Sequence, residues 1–115
     1  MQLLVVVIDQ ENKLDDVFEA FQEIGVSGVT VFDSMGSGHL DSEDLSIFGR
    51  LAHLTGSRKK HNKTLLSVIK SPEVLHKAVE AVEKIVGDFN RPHTAFLFTI
   101  PLGTVKGLSL TKSNQ

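Results

Sequence analysis

Residues 3–25, LLVVVIDQENKLDDVFEAFQEIG, and residues 65–87, LLSVIKSPEVLHKAVEAVEKIVG, follow one plan twice: a short apolar strand, a capped helix and a glycine. In the first segment Leu14, Val17, Phe18, Phe21 and Ile24 recur at the i, i+3, i+4, i+7 spacing of a buried helix face. Asp15, Asp16, Glu19, Gln22 and Glu23 fall on the wet side. Asn12 is the expected cap and Gly25 the expected stop. The second helix is expected to start with Ser71 as cap and Pro72 in its first turn. Its buried stripe is Val74, Leu75, Ala78, Ala81, Val82 and Ile85, and Gly87 ends it.

Each helix is followed by another strand-like run, VSGVTVFDS at 26–34 and TAFLFTIP at 94–101, so the order is β-α-β, repeated. Two such units predict an α+β, ferredoxin-like βαββαβ fold, with an antiparallel four-stranded sheet and both helices on one face. The 115 residues fit one domain spanning 1–115, with a long loop at about 37–62 and a tail at about 108–115. In LLVVVI and AFLFTI apolar residues occupy both alternating sets, so neither face of these strands is suited to water. Two helices cover only one face. The other is expected to pack against further copies of the chain.

The long loop is introduced by VFDSMGSGHL at 31–40, in which Gly36 and Gly38 flank Ser37 ahead of His39. Such glycines either simply end a strand or let backbone N–H groups approach a phosphate closely. Within the loop, Leu45, Phe48, Leu51 and Ala52 lie at helical spacing after Asp41 and Ser42, either of which can cap, and Gly56 can end the helix. Phe48 is either an anchor for that helix or a contact for a partner. The loop closes on GSRKKHNK at 56–63, the dense basic run of the chain. This run is either a solvated surface stretch or an anion contact.

Bulk properties exclude several classes. The formal net charge of -2 and pI near 6.2 give the chain no overall attraction to nucleic acid or an anionic membrane. Without cysteine there is no thiolate catalysis, disulfide or cysteine-based zinc site. LLVVVI is too short to span a bilayer, no basic segment precedes it, and Asp9 and Glu11 follow; neither export nor membrane insertion is expected, and the expected location is cytoplasmic. No nucleophile held by a base and no defined carboxylate pair is evident, so an enzyme is not expected.

KLDDVFEAFQEIGVSGVTVFDSMGSG at 13–38 resembles the start of a PII signalling protein, with VLHKAVEAVEKI at 74–85 and TAFLFTIPL at 94–102 similar to that family's second helix and closing strand. The resemblance covers most of the chain apart from the middle of the loop. It implies a homotrimer with adenine nucleotides (ATP, ADP or AMP) or a similar small anion in clefts between subunits. It also implies no required cofactor, and a long loop that engages a regulated transporter or enzyme. By the same resemblance Gly36, Ser37 and Gly38 match loop-base glycines, Thr30 a strand threonine near the adenine, and Lys63 a lysine that contacts ligand carboxylate or phosphate. His39 replaces a basic residue, and Arg58 belongs to the basic run that stands in for missing contacts. The chain departs from the family's pattern in lacking the loop tyrosine, in a shorter loop, and in GDFNRPHTAF at 87–96, where glycines are usual. Arg91 in that segment, and Lys106 beyond Pro101 where arginines are usual, are the remaining candidate phosphate contacts.

Two rivals have the same fold order. A ferredoxin-like trimer that binds a divalent metal or acts as a scaffold is the alternative, with His39 and His61 across the loop base as the pair of interest. No histidine is expected to find a ligand partner at helical spacing, and His76 reads as a surface residue. An RNA-recognition module needs exposed aromatics on the sheet. Phe96 and Phe98 share a face, but the aliphatic first strand and slightly acidic chain argue against nucleic acid.

Overall fold

A computed structural model of the protein describes residues 1–26, 28–36, 60–91 and 95–108. The expected loop helix, Phe48, and the candidate residues Ser37, Gly38, His39 and Arg58 lie outside the described residues. In chain order the elements are β1 (Gln2–Ile8), a 3-10 turn (Glu11–Lys13), α1 (Leu14–Ile24), β2 (Thr30–Gly36), β3 (Lys60–Ile69), α2 (Pro72–Val86) and β4 (Ala95–Pro101). The sheet order is β2-β3-β1-β4, and each neighbouring pair is antiparallel. This is the ferredoxin-like α+β arrangement.

Strand alternation and helix periodicity meet in one core. Leu4, Val6 and Ile8 of β1 and Leu65 and Ile69 of β3 are buried together with Val17 and Phe21 of α1 and Ala78, Val82 and Val86 of α2. Phe18 packs partly buried against this cluster. Ser67, on the same side of β3 as Leu65, is buried but satisfied, its hydroxyl donating to the Gly28 carbonyl at 2.7 Å.

Helix α2 starts as its sequence predicts: the Ser71 hydroxyl accepts from the N–H groups of Glu73 at 3.2 Å and Val74 at 3.4 Å, ahead of Pro72. Gly25 ends α1 in the left-handed region, φ 105°, which an L side chain resists. The N–H groups of Gly25 and Val26 both donate to the Phe21 carbonyl, at 3.1 and 2.9 Å. Asn12 is not the cap of α1. It lies inside the 3-10 turn, Lys13 occupies the cap position, and no side chain caps the helix. The turn's own bond, Lys13 N–H to the Gln10 carbonyl at 2.9 Å, leads the chain into the helix, and Asp15 and Asp16 complement the dipole in its first turn.

Strand β3 begins earlier than LLSVI suggests. The β2–β3 ladder runs from Thr30 opposite Leu66 out to Gly36 opposite Lys60, so residues 60–63 of the basic run are strand rather than loop.

The second face of the sheet carries Leu3, Val5 and Val7 of β1, Phe32 of β2, Leu66 and Val68 of β3, and Phe96, Phe98 and Ile100 of β4, as the register places them. Val5 is buried by its neighbours, but Phe96 is 57 % exposed, Phe32 46 %, Phe98 43 % and Ile100 42 %. The rings of Phe96 and Phe98 stack with centroids 6.2 Å apart. Phe32, Phe96, Phe98 and Ile100 thus stand exposed on the side of the sheet away from the helices. Among the described residues no helix is long and apolar enough to cross a membrane.

Candidate functional site at the base of the β2–β3 hairpin

At the outer end of the β2–β3 ladder, Asp33 faces Lys63 across the strands, with Ser34 opposite Asn62 and Met35 opposite His61. Successive residues point to opposite faces, so this one stretch supplies two distinct polar clusters.

On the helix side, the Lys63 ammonium is hydrogen-bonded and ion-paired to the Asp33 carboxylate, and lies 3.2 Å from Glu11 Oε1 in the turn ahead of α1. The hydrogen bond from Lys63, then its charge, holds the Asp33 carboxyl below its ordinary value. Lys63 is pushed up, first by the hydrogen bond to Asp33 and then by that to Glu11. A cleft of about 370 Å³ opens here, lined by Asp9, Glu11, Asp33, His61, Asn62 and Lys63. Its carboxylates outnumber its lysine, so an incoming anion meets repulsion as well as attraction.

On the opposite face, Ser34 Oγ donates to Asn62 Oδ1 and shares a 2.7 Å hydrogen bond with Thr64 Oγ1. A hydroxyl has one proton, so Thr64 is the donor in that second bond. Asn62 Nδ2 in turn donates to Asp9 Oδ1 at 3.5 Å. Gly36 belongs to this cluster for a steric reason: a Cβ there would lie 3.2 Å from Asn62 Nδ2. Gly36 has no positive φ; its lack of a side chain leaves room for the asparagine amide.

Gly36 and Lys63 therefore belong to one hairpin base, while Thr30 does not join them. Thr30 lies three positions from Asp33 along β2, about 10 Å away, and lines a separate groove of about 430 Å³ with Leu3, Gly28, Val29, Leu66 and Leu108. Arg91 is exposed in the turn that follows α2, where its N–H donates to the Asp88 carbonyl at 3.0 Å. That turn precedes the end of β4 where Ala95 pairs with Ile8, the end of the sheet that also holds Lys63. Lys106 is exposed and follows the other end of β4, where Pro101 pairs with Gln2, so a single chain separates it from Lys63 by the length of the sheet.

Two partners of Lys63, Glu11 and Asp33, carry no local mark in the sequence, because only the strand register and the turn before α1 bring them to it. His76 is exposed, as expected, but its Nε2 lies 3.6 Å from Glu80 Oε1 one helical turn on, a pairing at helical spacing that was not expected. Among the described residues no group of three or more His, Asp or Glu side chains is placed to hold a metal ion.

A split βαβ sheet with helices on one side, an uncovered apolar side on the other and a polar hairpin base defines a small α+β protein of the ferredoxin-like class. The family model for nitrogen regulatory protein P-II matches residues 1–108, and the chain belongs to that family, one of signal-transduction regulators. No curated protein matches the sequence.

Proposed function

We propose that this P-II family member is a non-enzymatic cytoplasmic signal transducer, which binds an adenine nucleotide or similar small anion in clefts between the subunits of a homotrimer. Residues 37–59, between β2 and β3, engage a regulated transporter or enzyme. The family match over residues 1–108 carries this reading. It is supported by the outward Phe32, Phe96, Phe98 and Ile100, which other subunits would cover. It is supported also by Lys63 at the base of the segment that would respond. Signalling requires that the ligand favour one state of that segment over another.

Isothermal titration of the assembled protein with ATP, ADP and AMP tests the reading, with Lys63→Met as the probe of the hairpin base. Binding that Lys63→Met weakens supports it. Silence toward all three nucleotides, with a response to zinc or copper, would favour a metal-binding or scaffolding trimer instead.

A further inference from the structure

The lysine at the hairpin base is already engaged. Lys63 projects from β3, Asp33 reaches it from β2, and Glu11 reaches it from the turn between β1 and α1. The lysine side chain is 24 % exposed, whereas Asp33 and Glu11 are 78 % and 72 % exposed, so each carboxylate borders open water while most of the lysine side chain is covered. Exposed ion pairs of this kind are individually weak and open readily. Asp9 and His61 complete the charged or titratable lining of the cleft.

We infer that Glu11 and Asp33 are internal competitors for Lys63: an anion bound at this lysine must displace them, and in doing so unfastens the hairpin base from the turn ahead of α1. The inference rests on the reading of Lys63 as an anion contact. An ammonium has three donor directions, but a third negative group beside two retained carboxylates is repelled by both. Exchange is therefore favoured over addition. A dianionic group, such as a terminal phosphate, replaces both carboxylates at once, whereas a monocarboxylate only substitutes for one of them. The contact thus disfavours weak anions and couples ligand binding to the freedom of Glu11, one residue beyond Gln10, whose carbonyl accepts the Lys13 bond that shapes the turn.

The test is titration of the full-length protein with ATP, and separately with inorganic phosphate, at constant ionic strength, in wild type, Glu11→Gln, Asp33→Asn and Lys63→Met. Each carboxylate replacement is expected to tighten binding about two- to fivefold, the range set by exposed ion pairs, while Lys63→Met loses it. Amide exchange supplies a second readout. Ligand should speed exchange across residues 11–13 in wild type, whereas in Glu11→Gln the turn is fast beforehand and no longer responds. If Lys63→Met loses binding but the carboxylate variants bind no tighter than wild type, the competition is refuted and the anion contact survives. If Lys63→Met binds as wild type does, or wild type binds neither probe, the anion contact itself fails and the competition with it.

Discussion

Replacing Phe96 by aspartate strikes the side of the sheet that the helices leave open. Within one chain Phe96 is 57 % exposed, so of the roughly 200 Å² a phenylalanine can bury, about 110 Å² remains to be covered by another subunit. At about 25 cal/mol per Å², that area contributes about 3 kcal/mol to association per copy. The stack with Phe98, 6.2 Å away, lies within one chain and is the same in monomer and oligomer, so its loss leaves association untouched, whereas seating a carboxylate in an apolar interface costs several kcal/mol more. The area alone corresponds to about a hundredfold weaker association per copy. The helices and their core should persist, because that core is built on Leu4, Val6, Val17, Phe21, Leu65 and Val82 on the other side. Sedimentation equilibrium at micromolar concentration, alongside far-UV circular dichroism, reads both quantities. The expected outcome is a folded, dissociated variant beside an associated wild type. An associated Phe96→Asp protein, or a wild type that is already monomeric, would refute the assignment of this face to subunit contact.

Three further outcomes follow from the same geometry. Phe21 is among the largest fully buried side chains, so Phe21→Ala should lower the stability measured by urea unfolding by about 3–5 kcal/mol. Ser71→Ala removes the acceptor for two N–H groups at the start of α2 and should cost about 1 kcal/mol, read as a lower urea midpoint with unchanged slope. For the Asp33–Lys63 pair the sign of the pH dependence is set by the two shifts. Asp33 is depressed, so its contribution is present above the ordinary aspartate value of 3.8 and lost as pH falls through its lower folded value. Lys63 is raised, so its contribution is present below 10.5 and lost as pH rises beyond that. The difference in urea midpoint between wild type and Asp33→Asn should therefore hold level across the neutral range and shrink in acid; a difference that vanishes near neutrality would contradict the pairing.

The helices were legible because their signals are local. Leu14, Val17, Phe21 and Ile24 define one face of α1 by spacing alone, Gly25 supplies a backbone conformation that other residues resist, and Ser71-Pro72 carries the cap and first turn of α2 within two residues. Asn12 does not cap α1 because side-chain capping competes with other ways of ordering the turn, and here a 3-10 turn takes its place. The start of β3 is not legible in the sequence because KHNK at 60–63 has no apolar alternation; it is strand by pairing with residues 33–36 of β2. Gly36 shows the same limit. Its nearest constraint is the side chain of Asn62, 26 positions away, and no motif around the glycine contains it.

What the chain's order of residues determined was the presence of the four strands and of α1 and α2, the buried faces of those helices, and the two-sided apolarity of LLVVVI and AFLFTI, since periodicity and capping act over a few residues. Which carboxylates meet Lys63, why Thr30 and Lys106 stand apart from it within one chain, and where the uncovered phenylalanines gather were decided only by tertiary structure. The reason is physical: side-chain ion pairs and hydrogen bonds act over a few ångströms, and only the register of β2, β3, β1 and β4 brings residues distant in the chain within that reach.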